Sequence, residues 1–472
     1  MFLIQILIIS FQFNMFLSEN LFIPFKTRID LNKMTHDNVM EMLINNQITV
    51  DFLFGSNEQK LELNLKTQNA STYILSAICP ENEYAVKFND NKSTTLEILD
   101  ENRRYYMHGF SHGKYANDKA SILLKDNKKL DINDFRFMLA TKLDYNTMKD
   151  VSGVIGLILT NEHEVTKNTD FIRQMKQKEI VNSEMFMLDY KDLYNGIFYV
   201  GDYYHEYNED YNKNDLIKIN AGRKNKYPYW EIEVNKIISG NKEIQYNTYM
   251  TLYYELGIIG APIEYYNYTK NNFFKEYFDK GICEEKFNRE TAALFQRYNY
   301  IVCNKKDFNR ESFPELKFFS AENENIYSLS QEYLFYEFDN KLYFLIIHPL
   351  LSISYDYWFL GKPMFLKYKF FLDKDAKTIG FYNVKEDDKK DDDDDDEDKK
   401  EEGEGKKSNN DNNDKVILII VIGVLILVII GILFYFIRRI IKSRKKRANE
   451  LDDDLDYTPY KQEKDPNEQG IN

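Results

Sequence analysis

Few residues of this chain combine types and spacings that could support chemistry. His108 and His112 have the spacing of two metal ligands on a helix, but they fall in a predicted hairpin and lack the intervening glutamate of a zinc protease helix. The chain shows no nucleophile triad and no phosphate-binding loop. We therefore predict neither a metal nor a cofactor.

The three cysteines, Cys79, Cys283 and Cys303, add no reactive motif. Their spacing matches no zinc site, and three thiols cannot build the dense disulfide framework of a small secreted domain. The cysteines therefore give no metal centre.

Short apolar runs separated by turns dominate the chain from about Asn46 onward. Several are rich in β-branched or aromatic residues and predict strands: ITVDFLFG, KLELNLK, STYILSAI and SGVIGLIL. Two segments are typical of helices, Asp170 to Ile180 with Asp170 as N-cap, and Asn271 to Lys280 before a glycine. The sequence therefore predicts a mainly β architecture.

Composition places most of the chain among folded proteins, since 43% of its 472 residues are hydrophobic and 15% are aromatic. This length allows two or three domains, or one large two-lobed unit. The formal net charge is −14, and Val384 to Lys415 alone contribute −8 through 8 Lys and 16 Asp plus Glu. The remainder is only mildly acidic, which argues against a nucleic acid partner because such partners require a basic face.

Two apolar segments determine the predicted topology. The first, residues 1–18, is predicted to be a cleaved signal peptide, with a buried N-terminal element as the alternative. The second, Val416 to Ile437, has no charge and is long enough to cross a bilayer as a helix. Arg438 and Arg439 open a basic stretch directly after it, so the positive-inside rule places the tail in the cytosol. The sequence predicts a single-pass type I membrane protein with a lumenal or extracellular ectodomain.

The segment before the membrane helix, residues 384–415, has almost no apolar residue and includes a run of aspartates from Asp391 to Asp396. Self-repulsion and the lack of a core predict an extended, solvated stalk. The sequons at Asn91 and Asn267 would lie on the lumenal side and are candidate glycosylation sites, although such triplets also arise by chance in an Asn-rich chain.

Landmarks between about Asn46 and Asn383 follow the order found in pepsin-like eukaryotic aspartyl proteases. The most specific, YWFLGKPMFLKYKFFLDKDAKTIGFYN, resembles the closing signature of that family. YYMHGFSHGKYANDKASI resembles its flap, YWEIEVNKIISGN its tryptophan-led strand, and IIGAP the end of its second catalytic loop. The resemblance covers about seven-tenths of the chain and implies a bilobed fold with a central cleft.

The resemblance also implies places for individual residues. Tyr106 and Gly109 would lie in the flap and contact a ligand in the cleft. Cys283 and Cys303 would form a second-lobe disulfide, although the family's usual downstream partner of Cys303 is absent. The implied organisation is a signal peptide at 1–18, an N-terminal segment at 19–45, a first lobe at 46–210, a second lobe at 211–383, the stalk at 384–415, the membrane helix at 416–437 and the cytosolic tail at 438–472.

The family, as the resemblance implies, hydrolyses peptides with one Asp-Thr-Gly loop from each lobe, whose two carboxylates share a proton and activate a water. Counting back from Cys79 puts Lys66 at the first aspartate, and counting back from Pro262 puts Tyr253 at the second. An ammonium cannot act as a base, and neither can a phenol with a pKa of about 10 near neutral pH. A shift of two residues would place Glu255 at the second position, and Lys66 would still leave a single carboxylate.

We expect Lys66 and Glu255 to form an ion pair across this site, because a buried lysine needs a partner. The alternative is a rearranged loop that lets Lys66 reach solvent. The functional hypothesis is a catalytically inactive, membrane-anchored homologue of the proteases that binds an extended peptide or a protein. An active aspartic endopeptidase with an atypical site and a structural or adhesive surface protein remain as alternatives.

Overall fold

A computed structural model describes residues 20–382 apart from short stretches at 81–82, 105–109, 126–127, 144–149, 160–167, 207, 209–210, 223–228, 289–296, 321–325 and 351–357. The predicted signal peptide, stalk, membrane helix and cytosolic tail lie outside the described residues. Within the described part, no helix is long and apolar enough to cross a membrane. The described residues belong to one compact unit.

Runs of apolar residues, alternating or continuous, form the strands. In the first half of the chain these are β1 (Leu21–Thr27), β2 (Ile48–Phe54), β3 (Gln59–Lys66), β4 (Tyr73–Leu75), β5 (Glu97–Arg104), β6 (Phe110–Leu123), β7 (Lys129–Leu143), β8 (Gly153–Gly156), β9 (Met185–Tyr190), β10 (Asn195–Val200) and β11 (Leu216–Asn220). In the second half they are β12 (Glu231–Ser239), β13 (Lys242–Leu252), β14 (Ile259–Gly260), β15 (Cys283–Asn288), β16 (Tyr298–Asn304), β17 (Leu316–Ser320), β18 (Ile326–Leu329), β19 (Phe335–Phe338), β20 (Lys341–Phe344), β21 (Ile346–Pro349), β22 (Trp358–Leu360), β23 (Phe371–Asp373) and β24 (Thr378–Tyr382). The four runs predicted as strands are confirmed in β2, β3, β4 and β8.

The strands form two sheets. The first has the order β11-β24-β23-β9-β10-β1-β2-β3-β8-β4-β7-β6-β5, and the second has the order β18-β17-β12-β13-β22-β14-β21-β16-β20-β19, with β15 paired to β16. The first sheet contains β11, β23 and β24 from the predicted second lobe, so it joins the two halves of the chain. The mainly β, bilobed pepsin-like fold predicted from the sequence is confirmed.

The same strand arrangement occurs in both sheets. In the first sheet β3 runs parallel to β8, and β4 returns antiparallel on the other side of β8. In the second sheet β13 runs parallel to β22, and β14 returns antiparallel on the other side of β22. The loops after β3 and β13 therefore leave their sheets at equivalent points, where Lys66 and Tyr253 are found.

The helices are short. They are α1 (Val39–Ile44), α2 (Phe171–Gln177), α3 (Ile263–Thr269), α4 (Lys275–Asp279), α5 (Gln331–Leu334) and α6 (Lys362–Lys367), with a π-helical turn at Lys270–Phe274 and 3-10 turns at Leu31–Lys33, Asp90–Lys92, Tyr204–Glu206, Lys213–Asp215 and Arg310–Ser312. Asp170 caps α2 as predicted, since its carboxylate accepts a hydrogen bond from the backbone N–H of Arg173 at 3.2 Å.

The N-terminal segment is built into this fold. β1 pairs with β10 and β2 in the first sheet, and α1 then buries its apolar face in a cluster that includes Leu256, Ile258 and Tyr300. The carbonyl of Leu43 in α1 accepts a hydrogen bond from the backbone N–H of Gly257 at 2.8 Å. The N-terminal segment therefore supports the loop after β13.

A buried ion pair links α2 to the turn after β23. The side chains of Asp170 and Lys374 are only 3% and 4% exposed, and their charged groups are in direct contact. The same carboxylate caps α2, so this contact positions the start of the helix.

Lys374→Met should lower the free energy of unfolding by about 3–5 kcal/mol, because it leaves the Asp170 carboxylate buried without its cation. Chemical denaturation followed by tryptophan fluorescence measures this, since both tryptophans, Trp230 and Trp358, are fully buried.

Lys275→Met is the matched control, because the ion pair between Lys275 and Asp279 lies on the exposed surface of α4. Exposed pairs contribute little to stability. Equal denaturation midpoints for the two variants would contradict the importance of the buried pair.

Candidate functional site

The end of β3 directs its side chains alternately to two faces. Leu61, Leu63 and Leu65 enter the hydrophobic core, so Lys66 projects from the opposite face. Lys66 keeps part of its surface accessible to solvent although protein surrounds it on nearly every side. Lys66 is therefore a largely enclosed amine that still contacts solvent.

One glycine packs against each loop. Gly156 at the end of β8 packs against the first loop, and Gly361 directly after β22 packs against the second. A Cβ on Gly156 would lie 2.7 Å from the carbonyl oxygen of Asn69, and a Cβ on Gly361 would lie 2.2 Å from that of Leu256. Asn69 and Leu256 also accept backbone hydrogen bonds, at 3.1 and 2.6 Å, from residues that follow these glycines. These two carbonyls therefore have matching roles, and they are 187 positions apart.

A second pair of carbonyls gives the same interval. Gly156 also approaches the carbonyl oxygen of Ser71, and Gly361 that of Ile258, again 187 positions later. Applied to Lys66, this interval leads to Tyr253, and Glu255 then corresponds to Gln68. The contacts thus relate the loops in the register obtained by counting back from Cys79 and Pro262.

The Thr67 hydroxyl joins the two loops. It donates a hydrogen bond to the carbonyl of Leu252 at 3.2 Å and lies 3.3 Å from Oε2 of Glu255. The Gln68 side-chain amide donates to the same carbonyl at 3.3 Å. Because a hydroxyl has one hydrogen, the contact with Glu255 is also satisfied when a protonated Glu255 donates to Thr67.

Lys66 and Glu255 form the charged part of the site. Burial lowers the pKa of Lys66 and raises the pKa of Glu255, and the opposite charge of each group partly offsets the shift of the other. The Thr67 hydroxyl further moderates the shift in the pKa of Glu255. Both side chains are described, and no nitrogen–oxygen distance of 4.0 Å or less joins them. The two groups are electrostatically coupled, but the predicted direct ion pair between them is absent from the structure.

Tyr253 contributes its ring to packing. The ring meets Phe359 of β22 edge-on with centroids 5.4 Å apart, and it lies against the same apolar cluster as α1. Its backbone N–H donates to the carbonyl of Leu360 at 2.8 Å. The second loop is therefore held by apolar contacts at the position that corresponds to Lys66.

Sequence reasoning missed Lys362, which is completely buried next to the second loop. Its ammonium donates to the carbonyl of Leu193 at 3.2 Å and lies 5.3 Å from the ring centre of Tyr190. Burial lowers the pKa of Lys362 far below its ordinary value, partly offset by Asp192. A lysine inside the apolar run LGKPMF was the available signal. Sequence reasoning also gave no role to Thr67, which directly follows Lys66 and contacts the second loop.

The predicted flap residues, Tyr106 and Gly109, lie outside the described residues. The strands on either side, β5 and β6, pair antiparallel, with Arg104 opposite His112. Within the described part, no group of three or more His, Cys, Asp or Glu side chains could hold a metal ion.

The cysteines and the two candidate glycosylation sites, Asn91 and Asn267, lie outside the two loops. A disulfide joins Cys283 and Cys303 across β15 and β16, with the sulfurs 1.98 Å apart, and Cys79 is buried and does not take part in this disulfide. Asn91 is exposed in a 3-10 turn, and Asn267 is exposed on α3. Both asparagines are accessible for modification.

The two sheets, the repeated strand arrangement and the facing loops define a pepsin-like domain. The sequence model of the family described as eukaryotic aspartyl protease matches residues 48–384. This match covers more than half of the chain, and the chain belongs to the eukaryotic aspartyl protease family. No curated protein matches it.

Thr67→Val should lower the free energy of unfolding by only about 1 kcal/mol, because Gln68 still donates to the buried Leu252 carbonyl. Thr67→Val combined with Gln68→Met should cost more than the sum of the single changes, because the carbonyl then loses both donors. Chemical denaturation of the three variants measures the coupling.

Thr94→Val is the control, since the Thr94 hydroxyl bonds to Ser56 on the exposed surface. Strictly additive losses in the double variant would show that the loops do not depend on this shared carbonyl.

Proposed function

We propose that this protein is a catalytically inactive, membrane-anchored member of the eukaryotic aspartyl protease family that binds peptides or protein segments without cleaving them. The observation that carries the proposal is the pair of residues at corresponding points of the two loops, Lys66 and Tyr253. Hydrolysis by the pepsin-like mechanism requires a carboxylate at each of these points.

The side chains at the two positions cannot replace the carboxylates. One carboxylate of the pair takes a proton from water while the other, protonated, polarises the scissile carbonyl. An ammonium has no lone pair to accept that proton, and the neutral amine that burial favours cannot share a proton with a second carboxylate as this mechanism requires. A tyrosine hydroxyl with an ordinary pKa of about 10 is a poor base at acidic or neutral pH. The site therefore lacks the pair of carboxylates with which the family activates water.

Glu255 does not restore the pair. It corresponds to Gln68, two positions beyond the carboxylate of the mechanism, and the charged group that acts on it across the loops is the Lys66 amine. Burial raises the pKa of Glu255 above its ordinary value. A single acid beside an amine supports binding of a ligand more readily than cleavage.

The membrane anchor and orientation rest on the sequence. The uncharged segment from Val416 to Ile437 and the basic residues after it support a single crossing with a cytosolic tail. Residues 19–415 would then form a lumenal or extracellular ectodomain and stalk. The exposed positions of Asn91 and Asn267 fit glycosylation on that side.

The purified full chain should release no inhibitor-sensitive fragments from a mixed peptide library at acidic or neutral pH. The physical reason is that neither of the two catalytic positions, Lys66 and Tyr253, carries a carboxylate. Mass spectrometry of the library, with and without a pepstatin-type inhibitor, measures cleavage. An active pepsin-like enzyme treated in parallel controls for the library and the inhibitor.

Glu255→Gln separates the remaining possibilities. Cleavage that is abolished by the inhibitor and by Glu255→Gln would make the protein an active peptidase that uses Glu255. Inhibitor-sensitive cleavage that survives Glu255→Gln would show that the catalytic loops lie elsewhere. Either result would overturn the proposal, whereas capture of peptides without new fragments supports it over a purely structural role.

A further inference from the structure

The Lys66 amine lacks an acceptor. Among the described residues, no oxygen lies within hydrogen-bond distance of its Nζ, and no carboxylate lies within 4.0 Å. The other buried lysine of the site differs, because the ammonium of Lys362 donates to the carbonyl of Leu193. The Lys66 ammonium makes no hydrogen bond to the described residues and keeps contact with solvent, so it is available to an acceptor on a ligand.

The surroundings indicate what would complete it. Lys66 and Glu255 both keep solvent-accessible surface, so a group from solution can reach them. An incoming anion would accept a hydrogen bond from the Lys66 ammonium and offset the burial that lowers the pKa of Lys66. Burial raises the pKa of Glu255, so this acid repels an incoming anion less than an ordinary carboxylate would. One ammonium matches one negative charge, which favours a carboxylate over a doubly charged phosphate.

We propose that Lys66 and Glu255 form a binding site for a carboxylate group of a peptide ligand, supplied by its C-terminus or by an aspartate or glutamate side chain. One ligand oxygen accepts a hydrogen bond from Nζ of Lys66, and Glu255 of the second loop is the acid that is electrostatically coupled to this ammonium. Thr67 holds Glu255 in place through the contact of its hydroxyl with Oε2. This inference rests on the proposed noncatalytic binding function and specifies its ligand class.

Pools of short random peptides without acidic residues, made as free acids and as C-terminal amides, test the site. Binding of fluorescent pools to the full chain is measured by anisotropy at neutral pH. We expect the free acids to bind at least about tenfold more tightly, because a hydrogen bond to a charged group contributes at least that much. A third pool, amidated but carrying an internal aspartate, distinguishes the two sources of the carboxylate.

Lys66→Met should remove the preference for carboxylates, and Lys66→Arg should retain part of it because the cation remains. Lys60→Met is the matched control, since Lys60 lies on the same strand with an exposed side chain. Tryptophan fluorescence checks that each variant is folded. The free-acid and amide comparison on the unmodified chain does not depend on any variant.

Equal binding of acids and amides, no binding by any pool, or a preference that survives Lys66→Met would each overturn the carboxylate site. These results would leave the noncatalytic assignment intact. Appearance of cleaved peptides in the same samples would instead overturn the proposed function, so the two failures are distinguishable.

Discussion

The structure depends on the contact between two loops that are nearly two hundred residues apart in the chain. Thr67 and Gln68 of the first loop both donate to the Leu252 carbonyl at the start of the second. Because this carbonyl is fully buried, its donors must come from the protein. The contact brings Lys66 near Glu255 in a largely buried site, and the pKa shifts of both groups follow from that burial.

Burial changes the protonation equilibria of Lys66 and Glu255. In water a lysine is a cation and a glutamate an anion, but burial shifts both pKa values toward the neutral forms. In a pepsin-like enzyme, desolvation and like charge make two carboxylates share one proton. Here the same setting holds an amine and an acid in place of two carboxylates, which is the basis of the proposed noncatalytic binding. The family fold is retained while the chemistry of its centre is different.

Much of the fold could be predicted from the sequence. The closing signature, the strands β2 and β3 and the N-cap of α2 depend on local patterns of apolar, turn and capping residues, and the structure contains them where expected. The register of the loops could also be obtained, because Cys79 and Pro262 lie a short, gap-free distance from them.

The remaining features depend on contacts between residues distant in sequence. No local pattern indicates that α1 packs beside Gly257, that Lys362 donates to the carbonyl of Leu193, or that Asp170 meets Lys374. The predicted ion pair between Lys66 and Glu255 illustrates the limit. Sequence counting put both residues at the site, whereas the distance between their charged atoms is set by side-chain packing.

The central claim is that no pair of carboxylates faces across the two loops. An experimental structure of the full chain that resolves both loops is the most direct measurement. It should place Lys66 and Tyr253 at the corresponding points of the two loops. Two carboxylates that face each other there around a water molecule would contradict the claim.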